Sequence, residues 1–253
     1  MRRAIGGGAA KEVKSGDSKE TDEDGATKTW RYDSIIQEDM YMAPFLPHQA
    51  EDPNVFPREK NPVVYFEIHS SGGRMLRDRT LTKPENLGRL YFELRKDLVP
   101  IACNNFLELV TGARQYGKDG IKYHYKGTRI HRVVKNLFFQ SGDLLDSKGN
   151  CSKAAIGGEG GVFRDENFLL QHTGAGCISM CNRGYDTNGS IFQVTFARVR
   201  DLDGKYVCFG CLASQESYDC LGRINDYGTA HGEPLEELRL VDCGIGRYSY
   251  FNK

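Results

Sequence analysis

The sequence predicts a mainly β domain, a barrel or a sandwich, with helices covering its openings. Two observations carry this reading. From Asn61 onward short β-rich runs recur between glycines, and only two stretches have the composition and periodicity of helices. The runs VVYFEI (63–68) and GRLYFEL (88–94) hold the β-branched and aromatic residues that suit a pleated, half-buried surface. Between them, at 69–87, lies a polar, net basic loop with Arg74, Arg77, Arg79 and Lys83 against Asp78 and Glu85. DLVPIACNNFLELVTG then predicts a helix. Pro100 suits the first helical position, where no N–H is needed, and Leu98, Ala102, Phe106, Leu109 and Val110 fall on one face. Gly112 supplies the stop. Strand-like runs resume in IHRVV, LFFQSGD, GCISMCN, IFQVTF and YVCFGCL; ESYDCLGRINDYG predicts a second helix and LEELRLVDCGIG a last strand. No internal repeat is visible.

Composition bounds the function. The chain has 253 residues, with 34 Lys plus Arg against 34 Asp plus Glu, so its formal charge is zero and its pI about 7.0. That balance argues against a protein whose main task is to coat nucleic acid or an anionic membrane. No apolar run reaches the roughly 18 residues a membrane-spanning helix requires. The start lacks the apolar stretch of a secretory signal, and its acidic residues are foreign to an organellar presequence, so an intracellular protein is expected. The eight cysteines are scattered singly through apolar runs and read as reduced, buried small hydrophobes. Cys208 and Cys211 form a lone CxxC, too little to read as zinc; no metal and no cofactor are expected.

The chain divides into four parts. Residues 1–29 are Gly, Ser, Lys and acidic residues with almost no large apolar side chains, a composition that cannot offset the entropy of ordering, so a disordered tail is expected. Residues 30–62 combine Trp30, Tyr32, Ile35, Ile36, Met40, Tyr41, Met42, Phe45, Leu46, Val55 and Phe56 with five of the eight prolines. Such a segment makes neither regular helix nor central strand. It reads as an extended arm, laid on its own domain or along a partner. Residues 63–246 form the folded domain, and 247–253 a short tail.

The order NPVVYFEI, GRLYFEL, DLVPIACNNFLELVTG, YKGTRIHRVV, FFQSGD, DENFLLQHTGAGCISMCNRGYDTNGSIF, LDGKYVCFG and VDCG resembles that of the cyclophilins over about residues 61–246. The stretches GIKYHYKGTRIHRVVKNLFFQSGDLL and LRLVDCG are most similar to a divergent branch of that family found in ciliated organisms. The resemblance implies a closed eight-stranded antiparallel β-barrel with a helix over each end. It also implies an outer groove that binds Xaa-Pro peptides and catalyses their cis/trans isomerisation. The barrier to that rotation is about 18–20 kcal/mol, because the amide C–N bond has partial double-bond character. Lowering it needs no nucleophile, metal or redox group, only a seat for the proline ring and a donor aimed at the prolyl nitrogen as conjugation breaks.

By the resemblance, Arg132 falls on the catalytic arginine, Gln140 and Asn182 on positions that hold the substrate backbone, and Leu202 on one apolar wall of the proline seat. His131 reads as a core or hydrogen-bonding residue rather than a base. The remaining positions depart from the family. Leu137 stands where a phenylalanine is usual, Phe138 replaces a methionine, and Gln193 takes the place of the second pocket phenylalanine. Ile191 replaces a glutamine, Asp201 a tryptophan or histidine, and Tyr206 a histidine. Cys181 and Arg183 replace small residues at the entrance to the neighbouring pocket. Loss of a phenyl-sized surface is worth about 1.5–3 kcal/mol, and an unsatisfied buried amide at 193 would cost about 1–3 kcal/mol more. The expectation is therefore a weak or narrowed isomerase with poor affinity for the cyclic immunosuppressant many relatives bind. The alternative is a catalytically silent scaffold in a large intracellular assembly, such as an axonemal radial spoke, anchored through 30–62 and 69–87. RNA-processing machinery is another host by the resemblance, although no nucleic-acid-binding motif is present.

Overall fold

The computed structural model describes residues 61–146, 148–156 and 161–246. The predicted tail 1–29, all but the last two residues of the arm 30–62, and the tail 247–253 lie outside the described residues.

The strands are β1 (Val63–Ser70), β2 (Glu85–Leu94), β3 (Arg129–Ile130), β4 (Arg132–Val134), β5 (Phe138–Ser141), β6 (Cys177–Met180), β7 (Phe192–Thr195), β8 (Cys208–Leu212) and β9 (Leu238–Ile245). Every strand pairing is antiparallel, in the order β3-β9-β1-β2-β8-β6-β7-β5-β4. The two ends of that order are halves of one stretch, interrupted at His131. Its backbone N–H still donates to Gln140 O at 3.1 Å. Counted that way there are eight strands among the described residues and the sheet closes on itself, as the resemblance implied; closure removes both free edges.

Strand alternation decides what fills the lumen. Val133, Phe139, Val194 and Ile178 lie opposite one another across β4, β5, β7 and β6, and all are buried in the core. Further along, Phe66, Phe106, Tyr125 and Phe192 pack ring against ring, with centroids 5.1–5.8 Å apart. The Tyr125 hydroxyl satisfies itself by donating to Ser190 O at 2.7 Å. Buried aromatic pairs of this kind add about 0.5–1.5 kcal/mol each beyond their area.

The two helices fall where the sequence placed them: α1 (Pro100–Thr111) packs on β9 and α2 (Gln215–Asp226) on β2. Pro100 opens α1, and Gly112 closes it in the left-handed conformation at φ 66°, where a side chain would be strained. Leu98 lies before the helix instead of on its face, yet it packs against the same core. Val99 offers no capping side chain. The cap comes from afar: the Glu166 carboxylate accepts from the N–H groups of Ile101 and Ala102, both at 3.0 Å. Its negative charge also suits the positive end of the helix. Glu166→Ala should lower stability by about 1–2 kcal/mol, read as a drop in thermal midpoint, while Ser214, which caps α2, is untouched.

Candidate active site

The row of residues alternate to the lumen row faces outward. Arg132 lies opposite Gln140, Gln140 opposite Gln193, and Gln193 opposite Ser179. Four adjoining strands thus share one polar line on the side away from the lumen, exposed at Arg132 and buried at Gln193 and Ser179. Arg132 is exposed, its guanidinium standing over the Phe138 ring at 5.6 Å from the centroid. Its stem packs beside Gly232, where an added Cβ would meet Arg132 Cγ and Nε at 2.9 Å. Among the described residues its guanidinium makes no hydrogen bond or ion pair. A cation held in place but with its donors free is what a substrate carbonyl or amide nitrogen would need.

Beside it the groups are engaged. Gln140 Nε2 donates to Gln193 Oε1 at 3.3 Å and to Cys181 Sγ at 3.4 Å, and Gln193 Nε2 donates to Ser179 Oγ at 3.1 Å. Gln193 is only 1% exposed. Its amide is therefore bonded at both ends, which corrects the cost expected from the sequence: no unsatisfied amide is buried at 193. The loss of aromatic surface there stands, and the neighbouring Phe192 cannot replace it, because alternation turns that ring into the lumen. Gln140 keeps its Oε1 for an incoming N–H.

Two loops complete the face. Asn182 follows β6 and donates from Nδ2 to Lys205 O at 3.0 Å, tying it to the loop after the short 3-10 helix (Arg200–Leu202). Within the short helix Asp201 is exposed and Leu202 buried; in the loop after it Tyr206 is half-buried, and its N–H donates to Leu202 O at 3.2 Å. Cys181 couples these loops to the strand row through its bond from Gln140; burial pushes its thiol well up, so it acts as a neutral acceptor. Leu137, in the turn between β4 and β5, is 44% exposed, and Ile191 is buried. Arg183 reaches across to the carbonyls of Asn150 at 2.8 Å and Gly149 at 3.4 Å.

Sequence reasoning missed the residues that hold these loops. Asp143, fully buried, accepts from the N–H groups of Leu145 and Asp146 with one oxygen and of Gly149, Asn150 and Cys151 with the other. This clamp sets Gly149 against the His131 ring, where a Cβ would come within 2.8 Å of Nε2. Burial lowers the basicity of His131, so it is neutral near pH 7. His172, also buried, clamps the other loop: its N–H and its Nδ1 both contact Asp203 Oδ1, at 2.8 and 2.9 Å. The cue for the first was the Asp of QSGD and for the second the Asp of DLDG, but which N–H groups they would gather is a tertiary fact.

The strand row thus runs from exposed Arg132 through half-buried Gln140 to buried Gln193 and Ser179, on the face of the sheet opposite the apolar lumen. The family model for cyclophilin type peptidyl-prolyl cis-trans isomerase/CLD matches residues 80–245, and the chain belongs to that family. The match starts after β1, which the structure nevertheless places in the closed sheet. The NK-tumor recognition proteins of mouse and human are each 42% identical to this chain over 163 residues. That overlap covers 64% of this chain and 11% of those proteins, so the chain spans a small part of the relatives' length.

The Asp143 clamp has a pH signature. Burial alone would raise this carboxyl, but the backbone N–H donors outweigh it and hold it down at about 2, against an ordinary 3.8. A group depressed on folding contributes stability above its unfolded value and loses it as pH falls through the folded one. About 2 kcal/mol should therefore be lost between roughly pH 4 and pH 2. In Asp143→Asn this part of the acid titration, followed by denaturant unfolding, should be flat and the protein less stable at pH 7.

Proposed function

We propose that the domain catalyses rotation about Xaa-Pro bonds through Arg132, with low turnover on ordinary proline peptides. The observation that carries the reading is the uncommitted guanidinium, fixed over Phe138 and bordered by Gln140. As the prolyl amide twists, its nitrogen regains a lone pair, and a donor placed there stabilises the twisted state more than the planar one. Gln140 Oε1 and Asn182 would hold the flanking backbone, while Leu202, Phe138 and Tyr206 would give the ring apolar contact. Gln193, Leu137 and Asp201 weaken the seat. Without a phenyl surface at 193, about 1.5–3 kcal/mol of proline burial is lost, or roughly ten- to hundredfold in kcat/KM.

A second reading is favoured by the engaged Gln140–Gln193–Ser179 line. Those groups are satisfied without a ligand, as in a barrel kept as a rigid body within an assembly through the arm 30–62 and the loop 69–87. The similarity to the ciliary branch supports an axonemal host such as a radial spoke, and with it an intracellular, cytoplasmic or axonemal location. A tagged chain found away from the axoneme of a ciliated cell would count against that host. Exchange NMR on a proline peptide separates the readings. The isomerase reading expects measurable catalysis that falls at least tenfold in Arg132→Ala without loss of folding. Equal rates in the two proteins, or none above background, would favour the scaffold.

A further inference from the structure

The segment between β1 and β2 is a built hairpin. Gly73 N donates to Thr82 O at 2.9 Å, Thr82 N to Arg74 O at 2.9 Å and Leu76 N to Thr80 O at 2.8 Å, and Met75 faces Leu81 across the bridge. Its tip is fixed by Asp78, whose Oδ1 accepts from the N–H and hydroxyl of Thr80 at 3.0 and 2.6 Å. Its base is fixed to the barrel by Thr82, which donates to Glu236 at 2.7 Å, and by Ser71 N, which donates to Glu237 O at 2.9 Å.

Thr82 turns toward the barrel, so alternation turns its neighbour Leu81, and with it Met75, away from the barrel. Both are open to solvent, at 59% and 69% exposure. Around this apolar pair stand Arg77 and Arg79 at the tip and Arg74 and Lys83 at the base, all exposed. Arg77, Arg79 and Lys83 make no ion pair among the described residues. Arg79 has φ 65°, a conformation that glycine adopts freely and a long side chain does not. The turn thus places a cation at a position that glycine would occupy with less strain.

From this arrangement we infer that the hairpin is a docking surface for an acidic segment of a partner protein, one that sets apolar side chains between carboxylates. The apolar pair takes the partner's apolar residues, and the cations at tip and base pair with the acidic residues on either side. An anionic membrane fits less well, because the tip that would enter the headgroups carries the carboxylate of Asp78 and the most exposed apolar residues, Met75 and Leu81, lie on the flank. This inference is independent of the isomerase reading.

The test uses the full chain and a fluorescein-labelled peptide with two leucines, one residue apart, between paired glutamates. Binding by anisotropy should weaken as salt rises from about 50 to 200 mM. It should fall at least tenfold in the double variant Arg77→Glu, Arg79→Glu and several-fold in Met75→Ser, Leu81→Ser, with isomerase rate and melting temperature unchanged. Arg79→Gly should weaken binding while keeping or raising the melting temperature, which separates a functional from a structural role. Equal binding of a lysine-for-glutamate peptide, equal binding by the charge-reversed protein, or no binding at all would overturn the inference. So would hairpin-dependent capture by phosphatidylserine vesicles without peptide binding.

Discussion

Strand alternation in a closed sheet is the constraint on which the rest of this structure depends. Because neighbouring residues of a strand point to opposite faces, one register fixes two things at once. Val133, Phe139, Val194 and Ile178 fill the lumen, and Arg132, Gln140, Gln193 and Ser179 line the outside. A slip of one residue in β5 or β7 would turn the lumen rings Phe139 or Phe192 outward and carry a glutamine into the core. The site needs no separate scaffold: the packing that closes the barrel also aims the guanidinium outward.

The loops are held by a different device. Long connections carry Asn182, Leu202 and Tyr206, and their backbone would otherwise be free to wander. Two carboxylates prevent this: buried Asp143 gathers five N–H groups, and half-buried Asp203 is pinned by the ring and backbone of buried His172. Charge-assisted bonds out of water are strong when every lone pair is used. The loops beside the polar row thus rest on these two carboxylates.

Much of this was legible in the sequence. The alternating runs, Pro100 and Gly112 marked the strands and helices, because each is a local signal; the role expected of Arg132 rested on the family resemblance of IHRVV and FFQSGD. Barrel closure through His131 was not local and came only with the family resemblance. The hydrogen-bonded state of Gln193 could not be read at all: it depends on Ser179 and Gln140, fourteen and fifty-three residues away, coming into register beside it. Glu166 as the cap of α1 was hidden for the same reason. The hairpin at 69–87 looked like a plain basic loop, since its ladder is built from backbone groups and from one threonine that reaches Glu236.

The isomerase proposal holds that an amide, in place of a ring, limits how well the outer wall seats proline. Restoring a phenyl group by Gln193→Phe, with proline-peptide exchange rates measured by NMR beside the unmodified chain, tests it directly. The account predicts a rise in kcat/KM of tenfold or more that disappears when Arg132→Ala is added. An unchanged rate in a folded Gln193→Phe protein would contradict it.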